Sequence, residues 1–258
     1  MKTHKTIFLL LALTMPLATQ AAFQTGTHNA DVLIGRDDDD VDNPLIQPPE
    51  FPVPDFADQS LNDTDVQAGR GGNDVLIGLL GEDVQLGGLG HDILIGGTEQ
   101  GTPPNSDVSF GDQGNDTFVW AGGDGSDAFA GGHGHRDALI FGTIDRDANN
   151  VPILSPAIQP HARTGVPTAD VSGQAAFCRL EPVEDADFGF DFLVRFFSQA
   201  TGGLIVTLRV VDVEQVFCTS EQGGAITFAD LTDPHPEFVE VSLEQVRRLN
   251  GTVGQIIR

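Results

Sequence analysis

Between residues 64 and 141, apolar and polar positions fall in blocks rather than alternating singly. Short apolar-centred runs, Val75-Leu76-Ile77, Ile93-Leu94-Ile95 and Thr117-Phe118-Val119, are separated by stretches rich in Gly and Asp. The cleanest unit, Gly87-Gly88-Leu89-Gly90-His91-Asp92-Ile93-Leu94-Ile95, has the form GGxGxDxUx, where U is a large apolar residue. Gly69 to Ile77, Gly78 to Leu86, Gly111 to Val119 and Gly122 to Ala130 share its frame. Glycines in the first six positions allow tight turning, and the last three positions suffice only for a short strand. One such strand buries nothing, so the units must coil and stack as parallel strands. With one strand per nine residues, units n and n+2 lie along the same edge.

The sixth position of the unit reads Asp31, Asp40, Asp65, Asp74, Asp83, Asp92, Asp107, Asp116, Asp127 and Asp137. Stacking places the carboxylates of one edge about one strand spacing apart, ~4.8 Å. Like charges that close repel unless a hard cation lies between them, and calcium takes about 6–8 oxygen ligands from carboxylates and carbonyls. Composition raises the same demand. The chain of 258 residues carries 38 acidic and 13 basic side chains, a formal charge of -25, which excludes nucleic acid as a partner. A hydrophobic content of 40% in short β-branched runs separates the chain from a disordered acidic tail.

This nonapeptide resembles that of the repeats-in-toxin (RTX) calcium-binding β-roll proteins, over residues 26–141. The resemblance implies an all-β parallel β-roll solenoid, with calcium ions held between turns of units n and n+2 by sixth-position carboxylates and turn carbonyls. One edge would pair Asp65 with Asp83, Asp83 with Asp107, and Asp107 with Asp127. The other would pair Asp74 with Asp92, Asp92 with Asp116, and Asp116 with Asp137. Asp31 and Asp40 head degenerate units, with Asn29 or Asp38 in place of Gly, and are the weaker ligands. Insertions at 44–59 and 96–105 interrupt the period, and the turn before Asp137 has one extra residue.

The inward eighth position is apolar in one column, Leu76, Leu94 and Phe118, but polar in the other, Gln67, Gln85 and Ser109. A buried amide without partners costs ~1–3 kcal/mol, so Gln67 and Gln85 are expected to stack as an amide ladder. Val75, Ile77, Ile93 and Ile95 would point outward, and an apolar patch of that kind calls for a cover.

Outside the repeats, Lys2 and Lys5 precede an apolar run from Ile7 to Leu13 and small residues near Ala21, the pattern of a signal peptide over 1–22. The run is too short for an uncleaved anchor, and no later stretch is apolar enough to span a membrane. The β-roll would occupy 23–141. After Phe141 the period stops, and 142–258 reads as a β-rich capping domain. A proline-rich loop over 151–167 precedes strands at 176–180, 188–197, 204–211, 215–218 and 225–228, then a short helix from Ser242 to Leu249. Cys178 and Cys218 most simply form a disulfide in an exported protein, with two buried thiols as the alternative.

There is no GxSxG and no HExxH. His91, His133 and His135 lie in turns, while His161 and His235 sit among prolines and are expected to be exposed. Glu181, Glu184, Asp185 and Asp187 read as a solvated acidic loop. Two functions follow. One is an exported calcium-binding structural or adhesive protein, extracellular or periplasmic, with a cell-surface or glycan partner. The other is a secreted enzyme or enzyme accessory whose site lies in the C-terminal half.

Overall fold

The computed structural model describes residues 21–27, 29, 31–34, 64–79, 81, 83–97, 106–158, 161–183 and 189–258. Residues 1–20 of the expected signal peptide, Asp40, the 44–59 insertion, residues 98–105, Glu184, Asp185 and Asp187 lie outside the described residues.

The repeat region holds β1 (Ala21–Thr25), β2 (Val32–Ile34), β3 (Thr64–Gly71), β4 (Val75–Leu79), β5 (Val84–Gly90), β6 (Ile93–Gly97), β7 (Val108–Gly114), β8 (Thr117–Trp120), β9 (Ala128–Ala130) and β10 (Ala138–Phe141). Strands alternate between two sheets, ordered β1-β3-β5-β7-β9 and β2-β4-β6-β8-β10, and every neighbouring pair in these runs is parallel. Gln67 pairs with Gln85 and Leu76 with Leu94, so each unit lies beside the next but one, as the nine-residue period demands.

The second half contains β11 (Thr143–Ile144), β12 (Leu154–Ser155), β13 (Val166–Pro167), β14 (Ala169–Asp170), β15 (Ala176–Pro182), β16 (Phe192–Ser198), β17 (Leu204–Val211), β18 (Gln215–Thr219), β19 (Ile226–Asp230), β20 (Val239–Val241), α1 (Leu243–Leu249) and α2 (Val253–Ile256). It extends both sheets. β17 pairs in parallel with β9, and β18 with β10, after which β16, β15, β19 and β20 add antiparallel strands. The fold is all-β with mostly parallel central ladders. α1 begins at Ser242, whose hydroxyl accepts the Gln245 N–H while the Gln245 side chain returns to the Ser242 N–H, a reciprocal cap legible in the sequence. No helix among the described residues is long and apolar enough to cross a membrane.

Two apolar clusters hold the molecule together. Between the sheets, Leu94, Phe118, Phe129 and Leu139 run on into Phe141, Trp120 and Phe196, whose rings lie 4.9–5.4 Å apart. The outward face of the even-numbered sheet is covered: Val75, Ile77, Ile93 and Ile95 are buried against Ile144, Val166, Val246 and Val253. A disulfide joins Cys178 of β15 to Cys218 of β18, tying one sheet to the other.

On the inner face of the odd-numbered sheet the amide ladder is present and longer than the sequence indicated. Gln85 Nε2 donates to Gln67 Oε1 at 2.9 Å, Gln67 Nε2 reaches Gln24 Oε1 at 3.4 Å, and Ser109 Oγ donates to Gln85 Oε1 at 2.9 Å. The same amides cross to the facing sheet, donating to the carbonyls of Ile77 and Ile95.

Candidate metal centre

In each repeat the Gly-rich turn joins a strand of one sheet to a strand of the other, so the turns line up along two edges. Position two of the turn is left-handed whether or not it is glycine: Arg70, Leu79 and Asp112 take φ of 73°, 76° and 71°, and Gly88 takes 103°. The units with Arg70, Leu79 or Asp112 at this position therefore keep the turn's backbone, and with it the position of the sixth residue.

Along one edge the aspartates form a continuous chain of bonds. The N–H of Asp31 donates to Oδ1 of Asp74 at 2.6 Å, that of Asp74 to Asp92 at 2.8 Å, that of Asp92 to Asp116 at 2.7 Å, and that of Asp116 to Asp137 at 2.7 Å. The second edge repeats the pattern, from Asp83 to Asp107 at 2.7 Å and from Asp107 to Asp127 at 2.9 Å. Every pairing deduced from the period among these residues is thus brought together. The extra residue before Asp137 does not displace it from the column. Asp65 lies in β3 with its backbone paired to Ala22, and its side chain is outside those described.

The other carboxylate oxygen is the informative one. Oδ2 of Asp74, Asp92, Asp116 and Asp137 is buried, with no hydrogen-bond partner among the described residues. Each points at a first-position glycine. A methyl group on Gly69 would stand 2.5 Å from Asp74 Oδ2 and 2.6 Å from the Gly87 carbonyl oxygen; on Gly87, 2.5 Å from Asp92 Oδ2 and 2.9 Å from Gly111 O; on Gly111, 2.4 Å from Asp116 Oδ2 and 2.6 Å from Gly131 O. On the second edge Gly78 stands in the same relation to Asp83 and the Gly96 carbonyl, whereas a methyl on Gly96 would meet Oδ2 of Asp107 and, at 3.2 Å, Oδ2 of Asp124. The missing Cβ thus leaves a cradle between a carboxylate oxygen of one unit and a backbone carbonyl of the unit stacked upon it. All donors are oxygen, the set a hard divalent cation prefers.

Burial disfavours the charged form of these carboxyls. Desolvation raises the carboxyls of Asp74, Asp92 and Asp137 to about 7 and that of Asp116 to about 9, against backbone hydrogen bonds that lower them and neighbouring carboxylates that raise them further. Asp31 differs. It is only part-buried, and its Oδ2 already accepts the Thr27 N–H at 2.6 Å and the Thr27 hydroxyl at 2.8 Å.

Two carboxylates escaped the nine-residue frame. Asp124 joins Asp107 and Asp127 in a buried triad whose ligand oxygens lie within 4.8 Å of one another, a group able to hold a metal ion. The eleven-residue spacing from Asp116 to Asp127 was its only sequence signal. Trp120 braces this turn, its indole N–H donating to the Gly125 carbonyl at 3.0 Å. Glu214 is the other. Its Oε2 accepts the Asp137 N–H at 2.8 Å, the role that each aspartate plays for the one before it.

Among the described residues, the histidines take turn, surface or buried positions away from the aspartate columns' cradles. His91 accepts the Asn115 N–H on Nδ1 at 2.9 Å, within a turn ladder that runs from Asn73 to His135. His133 and His135 are exposed, as is His235. His161, expected in solvent, is fully buried instead. Its segment folds back over the repeat turns and sets the ring beside His91, and desolvation lowers its pKa to about 4. In the C-terminal half a shallow cavity of about 280 Å³ is lined by Arg179, Thr219, Ser220, Glu221 and Thr227 among others. Its hydroxyls are committed: Thr219 donates to Val171 O, Ser220 to Gly223 O and Thr227 to Cys218 O.

No protein-family model, curated protein or solved structure matches the chain.

Proposed function

We propose that this chain is an exported calcium-binding protein of the RTX type, whose aspartate-glycine repeats fold as a β-roll around calcium ions on both edges and act as a structural or adhesive scaffold. One observation carries the reading: among the described residues, Oδ2 of Asp74, Asp92 and Asp116 is buried without a hydrogen-bond partner, each facing a glycine cradle and a carbonyl of the next unit. The two oxygens of each aspartate divide the work. Oδ1 fixes the stacking register by accepting a backbone N–H, and Oδ2 supplies charge to the ion. Bound calcium would neutralise the columns and so permit carboxylates to be buried at neutral pH.

Export agrees with the Cys178–Cys218 disulfide, a bond of oxidising compartments. Cytosolic calcium is too scarce to fill sites of millimolar to submillimolar affinity, so folding of the repeats would await export. An enzymatic site in the C-terminal half lacks comparable support, since the cavity hydroxyls there are bonded to backbone carbonyls. The test is far-UV circular dichroism of the full chain during calcium titration. A gain of β signal with calcium is expected, and a spectrum unmoved by calcium or chelator overturns the reading.

A further inference from the structure

By sequence, the aspartate columns end at Asp137; in the structure one of them continues into the C-terminal half. β17 and β18 are set on β9 and β10 in the register of a repeat, with Arg209, Val210 and Val211 opposite Ala128, Phe129 and Ala130, and Gln215, Val216 and Phe217 opposite Ala138, Leu139 and Ile140. Only Asp212, Val213 and Glu214 connect Val211 to Gln215, whereas six residues, Gly87 to Asp92, connect Leu86 to Ile93. The shortened turn carries glutamate at its last position, one methylene longer than aspartate, and this side chain makes the column's bond to Asp137.

The rest of the cradle is also present. Asp212 is left-handed at φ 52°, and its carbonyl oxygen lies 2.1 Å from where a methyl on Gly131 would stand, the place that the Gly131 carbonyl takes over Gly111. Asp137 is fully buried, and its Oδ2, without a hydrogen-bond partner among the described residues, aims into this space, 2.7 Å from the Gly131 methyl position and 2.5 Å from that of Gly134. The Asp137 carboxylate and the Asp212 carbonyl therefore converge on a glycine-lined gap where the repeat region meets the second half, with Glu214, whose carboxylate accepts the Asp137 N–H, beside it.

We infer that Asp137, Glu214 and the Asp212 carbonyl form a further calcium site, donated jointly by the last repeat and the β17–β18 turn, through which calcium locks the C-terminal half onto the repeats. This rests on the calcium reading above and extends it to a residue outside the nonapeptide. An ion here would relieve the repulsion between Asp137 and Glu214 and hold β17 and β18 in register with β9 and β10.

The experiment counts calcium bound by the full chain at equilibrium dialysis and follows amide exchange over 131–137 and 206–218, with and without calcium. Glu214→Gln is expected to bind one ion fewer than wild type and to lose the calcium response of 206–218, while amides around Asp74 and Asp92 still respond. Gly131→Ala, which fills the cradle, should lose the same ion. Wild-type stoichiometry with an unchanged calcium response in Glu214→Gln overturns the inference and leaves the calcium reading standing. So does a wild-type chain whose repeats respond to calcium while 206–218 exchanges identically in both conditions, a measurement that decides the matter even where the variants do not fold. A wild-type chain that binds no calcium overturns both.

Discussion

In the repeat region, the buried polar groups are carboxylates and amides arranged in columns, each group bonded to its counterpart one coil away. In residues 142–258, the charged pairs lie at the surface, among them Arg179–Glu221, Arg195–Glu181 and Arg248–Glu244, and the interior, apart from His161 and a few polar side chains such as Thr219 and Asn250, is filled by apolar groups and a disulfide. The first arrangement concentrates carboxyl groups whose charged form burial disfavours. The second is that of an ordinary apolar core, stable in principle without help. On the proposed calcium reading, one chain joins a part whose folding depends on an ion to a part whose core does not, and the aromatic cluster around Trp120, Phe141 and Phe196 is where the two cores meet.

The largest expected effect comes from removing calcium. With dissociation constants of ~10⁻⁴ to 10⁻³ M and ~1 mM ion, each site contributes roughly 0.4–1.4 kcal/mol, and six paired sites about 2–8 kcal/mol in all. That approaches the ~5–15 kcal/mol stability of a whole domain. Chelation should expose the amides of β3 to β10 to exchange while those of β15, β16 and β19 stay protected. Uniform loss across both regions would erase the contrast.

Reduction should act on the opposite side. The bond closes a loop with a sequence separation of 40, worth about 4 kcal/mol in the chain-entropy description. A Cys178→Ser, Cys218→Ser chain is expected to lose thermal stability in the second half and to keep its calcium midpoint in the repeats. Two free thiols titrated in the denatured, unreduced protein would remove the basis of this expectation.

Within the repeats, Asp92→Ala should raise the calcium midpoint for folding several-fold, because Asp92 bonds to both Asp74 and Asp116 and faces the Gly87 cradle. Asp31→Ala should change it little, since Thr27 already satisfies Oδ2 of Asp31. Fluorescence of Trp120, the only tryptophan, reports the midpoint. Equal midpoints in the two variants would show that the columns do not carry the ions.

The smallest effect is a pH dependence whose sign differs with calcium. Desolvation raises Asp74, Asp92 and Asp137 to about 7 and Asp116 to about 9 from 3.8. Stability from such groups is complete below 3.8 and is lost as pH rises through 7 to 9. His161 opposes them, contributing stability above 6.5 that is lost as pH falls toward 4. The calcium-free repeats should therefore resist urea better at about pH 5 than at about pH 8, since four carboxyls outweigh one imidazole. With calcium the order should invert, because protons compete with the ion for the carboxylates. Urea midpoints at both pH values, with and without calcium, measure this; calcium-free repeats that strengthen as pH rises would refute it.

The repeat was legible in the sequence because its causes are local and periodic: Gly at the turn, Asp at the sixth position and an apolar triplet recur at intervals that fix which units can stack. From that period came the parallel ladders, the pairing of Asp74 with Asp92 and of Asp92 with Asp116, and the Gln67–Gln85 ladder, while the Ser242 cap came from an equally local helix-start pattern; none of these needs distant residues to be specified. Glu214, Asp124 and the burial of His161 were not legible. They arise where the period is broken and the chain returns from far away, Glu214 lying 77 residues beyond the aspartate whose N–H it accepts. A shortened turn and a longer side chain replace the consensus there, and only the parallel docking of β17 on β9 and β18 on β10 brings that carboxylate into line with the others.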